Sequence, residues 1–190
     1  MPTPQIIAGL DEAGRGPLAG PVTAAAVILP PKTRLPGLTD SKKLTALQRE
    51  KLFALITKKC EYAVGWASHK EIDRLGLTKA TELAYKRAIK QLKTKPDHLL
   101  IDGRDPFKFA IPHTSIIKGD LKIRAISAAS IIAKVSRDKL MLKYAQQFPN
   151  YGFEAHKGYG TARHQRALRK HGTCPIHRLS YAPCSPNTSS

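Results

Sequence analysis

A chain of 190 residues, 42% hydrophobic and 24% charged, has the length and composition of one soluble domain with its own core. Thirty-two Lys and Arg against 14 Asp and Glu leave a formal charge of +18, which favours a polyanionic partner, either nucleic acid or an anionic membrane surface. No apolar run approaches the ~18 residues of a membrane span, Met1-Pro2-Thr3-Pro4 does not open a secretory signal, and Cys60, Cys174 and Cys184 lack the C-x-x-C spacing of structural zinc.

The first apolar run, residues 6–10, reads as a buried strand, and residues 21–29 as a second one joined to it through a Gly/Pro-rich turn. The Pro21-containing connection suggests an antiparallel hairpin and therefore a mixed sheet. Residues 30–39 read as a loop. Residues 45–59 read as a helix, with Thr45 and Gln48 in capping-box spacing and Leu52, Leu55 and Ile56 as its apolar stripe. A strand over 62–68 follows, then a helical region over 70–93, broken near Gly76 and restarted at Thr78. Residues 98–102 form a short apolar strand ending in Asp102, and 114–118 a further strand. The clearest helix is 126–147, where Ala128, Ile131, Ile132 and Val135 share one face and small neighbours permit close packing on a sheet.

Beyond Pro149 the chain becomes rich in Gly, His, Arg and Tyr, with a short helical pattern near 161–171. These elements predict an α/β catalytic domain over 1–148, a basic helical extension over 149–183 packed on it, and a frayed tail over 184–190. The three thiols read as reduced, in the cytoplasm, although spacing alone leaves a Cys174–Cys184 disulfide open. The seven histidines show no metal-ligand spacing and read mostly as solvated or as part of the basic surface.

The chemistry concentrates at Asp11-Glu12-Ala13-Gly14-Arg15-Gly16-Pro17. An apolar strand delivers two carboxylates into a glycine-rich turn, where desolvation of two anions calls for a counter-charge such as a divalent cation. Asp102 ends a second apolar strand and is followed by Gly103. Carboxylates converging from strand ends make a hard-oxygen site for Mg²⁺ or Mn²⁺. Strict alternation sends Asp11 and Glu12 to opposite faces, so Glu12 joins such a cluster only if the pleat breaks. Asp120 reads either as a turn or cap residue or as a fourth carboxylate of the site, and Lys134–Asp138 as a structural ion pair at i,i+4. Gly14-Arg15-Gly16 can present a nest of N–H groups and a guanidinium to phosphate or sugar hydroxyls. Asp40-Ser41-Lys42-Lys43 stands where it could meet phosphate at a helix N-terminus. Tyr159, between two glycines, can stack on a sugar or base. Arg163, Arg166, Arg169 and Lys170 form a basic stripe suited to phosphates.

Taken in order, the segments 11–22, 40–44, 101–103, 118–120, 128–135, 137–138, 156–161 and 175–178 resemble the motifs of ribonuclease HII, the bacterial type 2 ribonuclease H family, over nearly the whole chain. The resemblance implies a ribonuclease H-like mixed sheet flanked by helices. It implies cleavage of RNA in RNA/DNA hybrids and at single ribonucleotides in duplex DNA. The family's four acidic positions fall on Asp11, Glu12, Asp102 and Asp120, and its ribose 2′-OH readers on Gly14, Arg15, Gly16 and Tyr159. Two-metal phosphodiester hydrolysis by a monomer is the expected mechanism, with the ions about 3.5–4 Å apart. Two other classes compete. A non-catalytic basic nucleic-acid-binding domain explains the charge but not the acid-terminated strands. A junction resolvase or integrase core explains the metal site but needs no 2′-OH reader.

Overall fold

Alternation along the first strand decides which side of the molecule each carboxylate reaches. The computed structural model describes residues 5–39 and 41–185, Lys42 by its backbone alone. Strands β1 (Ile7–Ala13), β2 (Val22–Ile28) and β3 (Glu61–Ala67) form an antiparallel meander. On the other edge of β1, β4 (His98–Asp102) pairs parallel, and β5 (His113–Ile116) pairs parallel to β4, giving the order β3-β2-β1-β4-β5. The sheet is therefore mixed, with the expected hairpin at its centre.

Helices cover both faces. Ala8, Leu10, Ala24, Ala26, Leu99 and Ile101 pack against α2 (His69–Leu75) and α3 (Leu77–Gln91), the pair that breaks at Gly76. The intervening residues Ala25 and Val27 face the other way, against α1 (Ala46–Lys59) and α5 (Arg124–Gln147). The capping box forms as expected: Thr45 Oγ1 accepts from Gln48 N at 3.2 Å, and Gln48 Oε1 accepts from Thr45 N at 2.8 Å. The long helix starts two residues earlier than its periodicity suggests. It follows a single turn of helix, α4 (Gly119–Lys122), so Asp120 sits inside a helical turn. The small residues of α5 serve close approach. A Cβ on Gly9 would stand 2.3 Å from the backbone carbon of Ala125, so strand and helix touch through their main chains.

A third apolar cluster joins the turn after β1 to the C-terminal segment. Leu18 and Ala19 pack with Met141, Tyr151, Phe153, Leu168 and Ile176, drawing in α6 (Phe153–His156) and α7 (Ala162–His171). The expected frayed tail over 184–190 does not include Cys184. Cys184 is buried in a 3-10 turn over Ala182–Cys184, because it fills this cluster, whereas residues 186–190 lie outside the described residues. Cys60, Cys174 and Cys184 are all free thiols. Among the described residues no helix is long and apolar enough to cross a membrane.

Candidate active site

Leu10 and Ile101 are paired across β1 and β4 and point to the α3 side, so the next residue of each strand, Asp11 and Asp102, points to the α5 side. Asp120 reaches the same place from α4. One carboxylate oxygen from each of the three lies within 4.8 Å of the others. Asp11 and Asp120 are each only 6% exposed, so these oxygens are held in a largely dehydrated setting. Asp11 Oδ1 accepts from Glu12 N at 2.7 Å, and Asp102 Oδ1 accepts from Gly119 N at 2.7 Å, which ties the β4 acid to the turn that carries Asp120. Burial, then the charges of Glu12 and Asp102, push the Asp11 carboxyl well above the usual range. Three converging hard-oxygen donors that repel one another fit a divalent cation.

The pleat does not break at Glu12. β1 runs on through Ala13, and Glu12, paired opposite Ala24, turns to the α3 side. There it accepts a hydrogen bond from the Tyr85 hydroxyl and lies 3.5 Å from Arg15 Nη1. Its oxygens fall outside the three-carboxylate group, although its charge still acts on Asp11. Burial also raises the Glu12 carboxyl, and burial together with the charges of Glu12 and Asp11 holds the Tyr85 phenol well above its ordinary range, so it stays a donor. Arg15 pairs with Asp105 as well as Glu12, so its guanidinium is held by two acids.

Ser41 is buried, with its hydroxyl 2.9 Å from that of Ser130, which in turn bonds Asp11. It braces the carboxylate through Ser130 rather than standing free for a phosphate. Asp40 and the side chain of Lys42 lie outside the described residues. The Lys134–Asp138 pair forms at 2.9 Å, as the spacing predicts. Tyr85, Asp105 and Ser130 are neighbours of the site that the sequence reading passed over. Asp105 carried a signal, a second acid three residues after Asp102, whereas Tyr85 and Ser130 looked like ordinary packing positions.

The two glycine-punctuated segments meet. Leu18 N donates to Gly158 O at 2.8 Å, and a Cβ on Gly16 would touch the Tyr159 ring at 3.7 Å. Tyr159 remains 43% exposed, available to a ligand. Beneath it lies a correction to the solvated-histidine reading, since His156, His164 and His177 are buried in one stack. Their hydrogen bonds specify the neutral form of each ring. Cys174 N donates to His177 Nδ1 at 2.8 Å, the two Nε2 atoms of His177 and His164 are 3.0 Å apart, and His164 Nδ1 meets the Tyr159 carbonyl at 3.0 Å. His177 Nε2 therefore donates to His164, which donates to Tyr159. A proton added to His164 Nε2 sets two donors face to face, whereas one added to His177 Nδ1 meets the Cys174 N–H at 2.8 Å with the Cys174 carbonyl 3.2 Å away.

Burial, then His164, pushes the His177 pKa down to about 4, and burial lowers His164 and His156 too. Between the ordinary histidine value of about 6.5 and about 4, the unfolded chain binds more protons than the native one, so stability is complete above the upper limit and falls as the pH drops. For His177 the loss amounts to up to about 3 kcal/mol. Urea unfolding from pH 7 to pH 4 should show it, and His177→Gln should flatten the decline. An identical pH slope in that variant would remove His177 as the cause.

A family model described as Ribonuclease HII matches residues 8–184. The chain is 54% identical over 179 residues to the ribonuclease HII of Endomicrobium trichonymphae, a match spanning 93% of this chain and 85% of that protein. It is 57% identical over 178 residues to the ribonuclease HII of Desulfitobacterium hafniense (strain DSM 10664 / DCB-2), spanning 93% and 68%. The crystal structure of the ribonuclease H2 from Pyrococcus horikoshii OT3 superposes with a TM-score of 0.79 at 32% identity, over 94% of each chain. The mixed sheet with its acid-terminated central strands is thus a ribonuclease H-like fold, and the chain belongs to the ribonuclease HII family.

Proposed function

We infer that the chain is an endoribonuclease that hydrolyses the RNA strand of RNA/DNA hybrids. We also infer that it cuts at single ribonucleotides embedded in duplex DNA and leaves 3′-hydroxyl and 5′-phosphate ends. The observation that carries this reading is the convergence of Asp11, Asp102 and Asp120 beside a glycine turn that touches Tyr159. The three acids would hold Mg²⁺ or Mn²⁺, two ions with substrate in place, and Glu12 adds its charge from the other face of β1. Such ions supply an activated water and stabilise charge at the scissile phosphate. The protein's own part is positional. Ser130 and Ser41 orient Asp11, and Tyr85 and Arg15 hold Glu12.

Gly14, Arg15, Gly16 and Tyr159 would discriminate by the 2′-OH, which both donates and accepts hydrogen bonds. The +18 charge supplies affinity for duplexes without sequence preference. The enzyme is read as a monomer working in the cytoplasm. One assay tests the whole reading: an RNA/DNA hybrid, a duplex with one ribonucleotide, an all-DNA duplex and a branched DNA junction, each with and without Mg²⁺. The first two should be cut, and only with metal. Cutting of the all-DNA duplex or the junction would favour another metal nuclease, and binding without any cutting a non-catalytic domain.

A further inference from the structure

Two of the largest fully buried side chains in the molecule are arginines. Arg137, on α5, is 1% exposed, and Arg178, after α7, is 0% exposed. Among the described residues their hydrogen bonds end on backbone carbonyls and one phenol. Arg137 donates through Nε to Pro21 O at 3.0 Å, through Nη2 to Ala19 O at 3.0 Å and through Nη1 to Lys157 O at 2.9 Å. Arg178 donates to Gly20 O at 3.0 Å, Arg15 O at 2.8 Å, Gly14 O at 2.6 Å and the Tyr181 hydroxyl at 3.1 Å. The same hydroxyl donates to Arg15 O at 2.7 Å. Burying two guanidinium ions side by side is costly. Burial, then Arg178, brings Arg137 down to about 10, and burial lowers Arg178 as well. Packing alone would be better served by apolar residues of the same volume.

What these cations hold is the substrate-reading turn. In a planar trans peptide the carbonyl and the following N–H point in opposite directions. Drawing the Gly14 and Arg15 carbonyls inward onto Arg178 therefore turns the N–H groups of Arg15 and Gly16 outward. Among the described residues no acceptor takes either of those N–H groups. Arg137 extends the grip to the second segment, because Lys157, whose carbonyl it holds, sits in the left-handed region at φ +52 just before Gly158 and Tyr159. Gly14 is required here twice over: its φ is +92, and a Cβ would lie 2.0 Å from Arg137 Nε.

We propose that Arg137 and Arg178 are positioning residues for ribose recognition, a buried cation pair that aims the Arg15 and Gly16 N–H groups at the substrate and fixes them relative to Tyr159. This rests on the reading of Gly14–Gly16 and Tyr159 as the 2′-OH reader. Neither arginine touches the carboxylate cluster through any hydrogen bond described above, so metal binding and ribose discrimination are separable.

The test uses Arg178→Lys and Arg137→Lys, which keep the charge but lose the fork, beside Tyr159→Ala. With the single-ribonucleotide duplex, kcat/KM should fall by about 100-fold in the arginine variants, as expected for a reader displaced by roughly 1 Å. Mn²⁺ binding to the carboxylates, followed by calorimetry, should be unchanged. The decisive readout is the ratio of dissociation constants for the single-ribonucleotide and all-DNA duplexes, measured in an Asp11→Asn background so that neither is cut. That ratio should shrink in the arginine variants, whereas a merely structural role would weaken both duplexes equally and leave it intact. Should the lysine variants fail to fold, Tyr181→Phe, which removes only the phenol shared by Arg178 and the Arg15 carbonyl, should narrow the same ratio; an unchanged ratio there overturns the proposal. If Tyr159→Ala leaves the ratio at the wild-type value, the ribose-reader assignment fails. If Tyr159→Ala narrows it and the arginine variants do not, the clamp fails while the reader stands.

Discussion

Asp11→Asn should abolish cleavage of RNA/DNA hybrids and, without metal, make the protein more stable. The activity loss follows from removing one of three converging ligands. Metal-held charge stabilisation is worth several kcal/mol, about a thousandfold or more in rate. The stability gain follows from burial and repulsion. Asp11 is desolvated and faces Glu12 and Asp102, which raises its carboxyl well above its unfolded value. The native state therefore binds more protons than the unfolded chain once the pH exceeds the ordinary aspartate range, and wild-type stability erodes as pH rises through that window. Asparagine removes this cost, for a gain of about 1–2 kcal/mol at neutral pH. Mg²⁺ or Mn²⁺ should raise the wild-type melting temperature by mass action and leave that of the variant nearly unmoved. Melting curves with and without metal, alongside a hybrid-cleavage assay, check each part. A variant that melts below wild type in the absence of metal would contradict the repulsion argument, and one that cuts at the wild-type rate would remove Asp11 from the site.

Gly9→Ala should be among the most damaging single-methyl additions to the fold. Its Cβ would lie 2.3 Å from Ala125 C, 2.5 Å from Ile126 N and 2.6 Å from Ala125 O. All three are main-chain atoms of the first turn of α5, so no side chain can swing aside. The helix must lift off the sheet or β1 must bend, and such overpacking costs about 3 kcal/mol or more. Lifting α5 also moves Ser127, which holds the Asp120 carbonyl, and Ser130, which braces Asp11. Activity should consequently fall further than the loss of folded molecules explains. Urea unfolding gives the first quantity, and cleavage per folded molecule at 25 °C gives the second. A midpoint equal to wild type would refute the close approach of strand and helix.

The elements with a strong local pattern were legible. The capping box at Thr45, the split helical region at Gly76 and the existence of α5 encode themselves within a few residues, although Ile126 to Ala133 of α5 are buried on every side rather than along one stripe. Strand alternation even posed the right question about Glu12, since Asp11 and Glu12 do part to opposite faces. What stayed hidden depends on partners far along the chain. Arg137 and Arg178 are buried because carbonyls up to 164 positions away satisfy them, and nothing beside an arginine in sequence reports that. His156, His164 and His177 escape the reading of the histidines as mostly solvated for the same reason: their burial comes from stacking on one another and on Tyr151 and Phe153, which local spacing does not display. The position of Ser41 likewise follows from Ser130, 89 residues later.

The placement of β1 between β2 and β4 also orders events in time. The hairpin from β1 to β2 closes over a short turn, so Asp11 gains its strand early in folding, before any partner for it is near. Its fellow ligand arrives only when β4 docks, a pairing that Ile6 and Asp97 anchor across 91 positions, and Asp120 only when α5 settles on Gly9. Long loops of this kind close late, because their entropy must be overcome before any contact rewards it. A nascent or half-folded chain thus carries the basic charge that attracts nucleic acid but no assembled cutting centre. Catalytic competence is a certificate that the longest-range contacts of the sheet have formed.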